Sequence, residues 1–311
     1  MNTPSTSSAR RNPGRVFVTR YGMIRNDEDI LRYAQFLRDE VGLSNDPPID
    51  LTRIHRHFQI PEPMLAPLPG QQGFLIDGNT CQILLNDSDP VARRRFTHAH
   101  ELIELLFAAY AELPDWTNWL NRCGEPKKEQ LCEQGAAALL MPASSFEPWV
   151  RQEGVNLHTA PRLAQLYGTS LLATLFQMVE QGPGSHALII WHYSLKPVEK
   201  RQIASPQLTF LEMDDILPAP KLRVWWSRVT KGRRDIFVPS YKSIADDSLI
   251  ARAYHTGTVQ LGNEYIDLGR FRGECFVEAQ PITIGDQECV VSILHLPDDH
   301  NCPLCHRMRC S

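Results

Sequence analysis

Long hydrophobic runs are missing from the sequence of 311 residues, and no stretch approaches the roughly 18 consecutive apolar residues that suggest a membrane helix. The sequence therefore predicts no membrane span. The N-terminal segment up to Arg15 is rich in Ser, Thr, Pro and Arg, and it lacks the apolar stretch of a secretory signal peptide. Together these absences predict a cytoplasmic protein.

An excess of positive charge is also missing, because 32 Lys and Arg residues face 36 Asp and Glu residues, for a net charge of −4. This balance excludes a global basic field of the kind that drives non-specific binding to nucleic acid or anionic membranes. Any contact with nucleic acid would have to be local. The eight cysteines are spread too thinly for a disulfide scaffold.

The C-terminal tail, residues 298–311, is the exception to this thin spacing. It contains a Cys-x-x-Cys pair together with a third cysteine and a histidine, namely Cys302, Cys305, His306 and Cys310. Thiolate and imidazole are the preferred ligands of zinc, so this tail is a candidate for a second zinc site. The alternative is a disordered tail with no ligand.

The composition, with 42% hydrophobic and 22% charged residues, is typical of a soluble globular protein of two or three domains. Hydrophobic periodicity predicts helices over residues 27–41, 50–58, 90–110 and 128–140, and a hairpin of strands 73–76 and 82–86. Residues 160–179 have the outline of a helix-turn-helix, with its turn at Gly168 and Thr169. Beyond residue 182, β-branched and aromatic runs predict a mixed α/β or mostly β domain.

The chemistry of the chain is carried by the helix over residues 90–110, which contains the sequence His100-Glu101-Leu-Ile-Glu104. Residues four apart lie on one face of a helix, so His100 and Glu104 can bind one ion while Glu101 stands beside it. In the His-Glu-x-x-His motif of metallopeptidases, two imidazoles bind zinc and the Glu takes a proton from the metal-bound water. Here Glu104 replaces the second histidine, and a carboxylate can also coordinate a metal.

A third ligand is expected from the helix over residues 128–140, which offers Glu129 and Glu133. Glu129 is preferred, because its helix is otherwise apolar, ends at Leu-Met-Pro, and can pack against the first helix with one carboxylate inward. Glu133 is the alternative ligand or a supporting residue. Metal ligands that include two carboxylates are harder, in the sense of hard and soft ligands, than the ligands of the usual motif with its two imidazoles. They favour manganese or iron relative to zinc. The competing interpretation is a chance pattern on a solvated helix face.

Two segments of the sequence resemble one known family. Residues 93–101, Arg-Arg-Arg-Phe-Thr-His-Ala-His-Glu, fill every fixed position of the Arg-x-Arg-Phe-Thr-x-Ala-His-Glu signature of the ImmA/IrrE family of zinc-peptidase-like regulators. Residues 129–142 resemble the third-ligand helix of that family, in a version with Leu-Cys shortly after the Glu. The resemblance extends over roughly residues 25–180, and the departure is Glu104, where the family has His.

The resemblance implies a fold class and a domain organisation. The expected class is α+β, with a zincin-like metallopeptidase domain, a helix-turn-helix-like helical segment and a mixed α/β C-terminal domain resembling the GAF fold. The expected domains are a disordered N-terminus (1–15), the peptidase domain (16–150), the helix-turn-helix-like segment (151–182), the sensor-like domain (183–297) and the Cys/His-rich tail (298–311).

The resemblance also implies an activity, namely cleavage of a helix-turn-helix transcriptional repressor at one site, which switches on genes for stress response or mobile-element transfer. His100 then corresponds to the first metal ligand, Glu101 to the general base and Glu129 to the third ligand. Glu104 in place of His leaves a second hypothesis, a catalytically inactive member that binds a repressor without cutting it. Glu101 is needed only for chemistry, and its presence favours the active form.

A third hypothesis, from another class, is a DNA-binding regulator that uses residues 160–180. The recognition segment, residues 170–180, contains no Lys or Arg, whereas phosphate contacts normally need them. Direct binding of nucleic acid is therefore not expected, and packing or docking of a partner protein is preferred. Residues 223–234 contain five Lys and Arg residues around two tryptophans, and a solvated strand edge and a binding surface both remain open for them.

Overall fold

The computed structural model describes residues 12–24, 26–111, 113, 116–203, 218–233 and 236–297. The described residues form two compact units. The first unit contains the chain up to Trp149 and Pro161–Thr174, and the second contains Val150–Ala160 and the chain from Leu175 onward. None of the helices in these ranges is long and apolar enough to cross a membrane. The domain boundaries drawn from the sequence stay a prediction, and the tail with Cys302, Cys305, His306 and Cys310 lies outside the described residues.

The first unit is mainly helical. In chain order its elements are α1 (Pro13–Tyr21), α2 (Asp27–Glu40), α3 (Leu51–Phe58), β1 (Met64–Ala66), β2 (Gly73–Asp77), β3 (Gln82–Asn86), α4 (Val91–Tyr110) and α5 (Trp116–Leu140). Helices α6 (Ala143–Glu153), α7 (Ala160–Tyr167) and α8 (Leu171–Gln181) follow in the chain, and α6 and α8 are each divided between the two units. The expected helices and the expected hairpin are present within a few residues of their predicted ends, except that α5 begins at Trp116, well before the expected start at residue 128.

Local sequence signals explain where several of these helices begin. Asn26 caps α2 in a capping box with Asp29, so that two backbone N–H groups are satisfied reciprocally. Asn12 caps α1, and Pro13 occupies its first position, where a missing N–H costs nothing. Residues 13–15 were expected to be disordered, and this was wrong, because the cap and the burial of Phe17 stabilise a helix there.

Helix α4 lies in the first core, where α1 and α5 pack against it and α2 packs against α5. Its side chains are buried on most of its circumference, including Leu102, Ile103 and Leu106. Helix α5 approaches closely because Gly135 has no side chain: a Cβ atom there would lie only 2.9 Å from Cγ2 of Ile103 and 3.1 Å from Cγ1 of Ile30. The non-helical backbone of Gly124, with φ of 74°, divides α5, and the part of the helix after it carries Gly135.

A small sheet with strand order β1-β3-β2 packs beside α4 in the first unit. Strand β1 runs parallel to β3, and β2 runs antiparallel to it. Strand β2 therefore lies at one edge of this sheet, with Phe74 and Ile76 exposed to solvent. Leu75, which lies between those two residues, makes a backbone hydrogen bond to Glu101 of α4.

The second unit is built on a five-stranded antiparallel sheet with strand order β5-β4-β8-β7-β6. Its elements are β4 (Ser185–Ser194), α9 (Pro197–Ile203), β5 (Lys221–Val229), α10 (Leu249–Thr256), β6 (Gln260–Asp267), β7 (Arg272–Ile284) and β8 (Gln287–Leu296). Helix α10 packs against β6, β7 and β8. Trp191 is fully buried in this core, and its indole N–H donates to Ser292 Oγ at 2.8 Å.

Candidate metal centre

Two helices, α4 and α5, position the side chains of the candidate metal centre. His100 and Glu104 lie one turn apart on α4, as their spacing of four predicts. Lys128 and Cys132 are likewise one turn apart on α5, and Glu129 is three residues before Cys132. The close packing of α5 on α4 at Gly135 brings these two sets of side chains together.

Three ligand-type side chains converge between the helices. A nitrogen of His100, an oxygen of Glu104 and the sulfur of Cys132 all lie within 4.8 Å of one another. Cys132 Sγ donates to Glu104 Oε2 at 3.2 Å, and the side chain of Cys132 is buried. The predicted residues His100 and Glu104 are therefore brought together, whereas Cys132 was not singled out from the sequence.

Glu129, the predicted third ligand, lies at the edge of this cluster. Its Oε2 atom is 3.5 Å from His100 Nε2, and its side chain remains 55% exposed. Glu133, the alternative, is exposed to solvent. Of the two carboxylates on α5 that the sequence offered, the structure therefore brings Glu129 to His100.

Lys128 also reaches into the cluster, which the sequence analysis missed. Its Nζ atom lies 2.5 Å from Glu104 Oε1, and its side chain is only 15% exposed. Burial lowers the pKa of Lys128, but the hydrogen bond and negative charge of Glu104 outweigh it, so the pKa lies above its ordinary value. The spacing of four between Lys128 and Cys132 is the signal that could have found both residues, since it places them on one helix face.

Glu101 occupies a buried position beside the cluster. It is 6% exposed, and burial raises the pKa of its carboxyl to about 7, with a further contribution from the negative charge of Glu104. A backbone hydrogen bond from Leu75 of β2 opposes this rise. A carboxyl with this pKa exchanges its proton close to neutral pH, which is the property required of a general base.

The donor set fits a divalent cation. Imidazole nitrogen, carboxylate oxygen and sulfur are the ligand types that zinc and similar metals use. The carboxylates of Glu101, Glu104 and Glu129 accumulate here around the ammonium of Lys128. Burial, and after it the repulsion by Glu104, raises the pKa of Glu101, and burial with the negative charges of Glu104 and Glu129 raises that of Cys132. A bound cation would offset both penalties.

His98, which precedes the cluster on α4, has a separate partner. Its Nε2 atom lies 2.6 Å from His55 Nε2, and His55 Nδ1 lies 2.6 Å from the carbonyl of Pro61. Burial lowers the pKa of His98 to about 3, and the neighbouring His55 and Arg95 contribute. This pair ties α3 to α4, so His98 has a role in packing.

These features define a zincin-like fold, in which one helix carries His and Glu and a second helix supplies further ligands. Residues 56–178 match the model of a peptidase family described as the IrrE N-terminal-like domain. The resemblance to the ImmA/IrrE family is thereby confirmed over this part of the chain, and the chain carries a domain of that family.

Comparison of structures gives a further likeness. The fold is similar to that of a Mycobacterium tuberculosis transcriptional regulator, with a TM-score of 0.54 and 12% sequence identity, over 91% of this chain and 79% of that chain. At this identity the likeness concerns the fold alone. No curated protein sequence matches the chain.

Proposed function

We propose that the protein is a regulatory metallopeptidase that cuts a protein substrate, namely a helix-turn-helix transcriptional repressor. The observation that carries this proposal is the convergence of His100 and Glu104 with the side chains of α5, next to a buried carboxyl, Glu101, whose pKa is raised to about 7. His100, Glu104 and Glu129 are the proposed ligands of one divalent ion, which is zinc, manganese or iron.

When bound, such an ion would polarise a peptide carbonyl and lower the pKa of water. The residues of the chain supply the remaining requirements. Glu101 can accept a proton and return it at neutral pH. Strand β2 presents an edge beside Glu101, and an extended peptide can add to such an edge through main-chain hydrogen bonds. A peptide bond held along β2 would lie near both Glu101 and the ligand cluster.

The remaining parts of the chain are proposed to regulate this site. The sheet of the second unit is proposed as a GAF-like sensor domain, and α7 and α8 as a helix-turn-helix-like docking element for a partner protein.

Direct DNA binding has little support, because Thr174, Leu175 and Met178 of the recognition segment are buried. In the basic segment 223–234, Arg223 is buried and paired with Glu199 at 3.1 Å, which favours a structural role for this residue.

A second candidate function is an inactive member of the family that binds a repressor without cutting it. The ion pair between Lys128 and Glu104 favours this candidate. Glu104 stands where the usual motif has a metal-binding histidine, and the ammonium of Lys128 gives it a positive partner without a metal ion. The two candidates predict different behaviour of the purified chain, and metal content separates them first.

The test is elemental mass spectrometry on the purified full chain, beside the variants Glu104→Ala and Glu101→Gln. We expect about one divalent ion per chain in the wild type and in Glu101→Gln, and loss of the ion in Glu104→Ala, because of the two substituted residues Glu104 is a proposed ligand and Glu101 is not. A wild type that holds no metal after reconstitution with zinc, manganese or iron would contradict the peptidase and favour the inactive candidate.

Activity is then tested by profiling new protein N-termini in cells that express the wild type or Glu101→Gln. The expected result is a cut in a helix-turn-helix repressor that appears with the wild type and disappears with Glu101→Gln. If metal is bound but the two profiles agree, the chain is not a peptidase under these conditions and co-purification of an intact repressor becomes the expected result.

A further inference from the structure

Lys128 is a lysine in an unusual place. Its ammonium lies between two carboxylates, 2.5 Å from Glu104 Oε1 and 3.6 Å from Glu125 Oε2. Its side chain is 15% exposed, whereas that of its neighbour Lys127 is 33% exposed and pairs with Asp27 at 2.8 Å. Taking an ammonium out of water is costly unless a charged partner compensates it, so the pair with Glu104 is what holds Lys128 inside.

The same carboxylate is a proposed metal ligand. A metal ion coordinates a carboxylate oxygen at about 2.0 to 2.2 Å. An ion bound to Glu104 at that distance would therefore lie where the ammonium of Lys128 now pairs with this carboxylate. Cys132 Sγ donates a hydrogen bond to the other oxygen of Glu104, Oε2, at 3.2 Å. Both carboxylate oxygens are therefore engaged, and a divalent ion at this distance would also repel the ammonium strongly.

We propose that Lys128 is a built-in competitor of the metal ion: its pair with Glu104 is the closed form of the centre, and metal binding requires Lys128 to leave Glu104. This inference rests on the proposed function, since it takes His100, Glu104 and Glu129 as the metal site. It assigns to Lys128 the control of metal affinity. A partner or ligand that draws Lys128 away would raise that affinity without touching a ligand residue.

The test compares metal affinity in four full-length proteins. These are the wild type, Lys128→Met, Lys128→Arg and the matched control Lys127→Met, titrated with Zn²⁺ and Mn²⁺ against a chromophoric chelator. Lys128→Met keeps much of the side-chain volume and removes the charge, and it should bind metal at least about tenfold more tightly. Lys128→Arg keeps the charge, so it should bind as the wild type does, and Lys127→Met should also be unchanged.

A second readout covers the case in which Lys128→Met folds poorly. The midpoint of thermal unfolding is measured with and without metal, and the metal should raise it more in Lys128→Met than in the wild type, since binding to the native state adds stability. Equal or weaker affinity in Lys128→Met, beside a wild type that binds metal, would overturn the role of Lys128 and leave the peptidase proposal standing. Absence of binding in all four proteins would overturn both.

Discussion

The role of Cys132 depends on the contact between its sulfur and the carboxylate of Glu104. Its sulfur lies within reach of Glu104 as a hydrogen-bond donor, and burial raises the pKa of the thiol. A thiol ligates a metal as the thiolate, whereas in this structure the Cys132 sulfur is engaged as a donor to Glu104. The contact with Glu104 therefore indicates a supporting role, in which Cys132 holds the Glu104 carboxylate toward His100.

This interpretation predicts different results for two substitutions of Cys132. Cys132→Ser keeps a donor and should bind metal almost as the wild type does. Cys132→Ala removes the donor and should lower metal affinity by about 10-fold to 100-fold, the usual cost of losing such an outer contact. The measurement is metal affinity by chelator competition. Loss of metal in Cys132→Ser as well, with Glu129→Ala unaffected, would make Cys132 the third ligand in place of Glu129.

Helices α4 and α5 set the spacing of the whole centre. The ligand-bearing side chains belong to these two helices, and the closest approach between them depends on Gly135. An added side chain at this position meets Ile103 of α4 and Ile30 of α2. Any increase in the separation of the helices also moves Lys128, Glu129 and Cys132 away from His100 and Glu104.

We therefore expect Gly135→Val to destabilise the first unit by about 1 to 3 kcal/mol, the usual cost of overpacking a core. The measurement is the free energy of unfolding by urea. The control Glu133→Val lies on the same helix but is exposed, so it reports only the helix propensity of Val, which costs well under about 1 kcal/mol. Metal affinity should fall in Gly135→Val and stay unchanged in the control. Equal stability of the two variants would show that the contact at Gly135 does not set the helix spacing.

The elements that the sequence predicted are those with a strong local pattern. Hydrophobic periodicity predicts helix α4, and β4 and β8 lie in the β-branched and aromatic runs that predict strands beyond residue 182. Strand β1 was missed because Pro61, Pro63 and Pro67 surround it and suggest only turns. Strand β6 was missed because its sequence, Gln-Leu-Gly-Asn-Glu-Tyr-Ile-Asp, is polar, as an edge strand exposed to water can be.

The candidate site was predictable only in part, for a related reason. A spacing of four on one helix identifies His100 and Glu104 without knowledge of the fold. The relation between Glu104 and Cys132, however, spans 28 residues and two helices. It depends on how closely α5 packs on α4, which the glycine at position 135 permits but the spacing of polar residues does not reveal.

Over the whole molecule, each of the two units has its own buried core, so each should respond to its own substitutions. The second unit includes Val150–Ala160, a segment distant in sequence from its sheet. Glu278 of β7 secures this segment: its buried carboxylate accepts from the backbone N–H of Leu157 at 2.8 Å and bonds His295 Nε2 at 2.8 Å. A buried backbone donor left without an acceptor costs about 1 to 3 kcal/mol.

Glu278→Ala should therefore release Val150–Ala160 from the sheet, because the Leu157 N–H loses its acceptor. Hydrogen exchange measured by mass spectrometry should become faster in this segment and in β7, while exchange in α2 and α4 of the first unit stays unchanged. Glu278→Gln keeps one acceptor oxygen, so it should protect the segment better than Glu278→Ala does. Faster exchange in α2 and α4 of the Ala variant would mean that the two units unfold together, and that Glu278 stabilises the molecule as a whole.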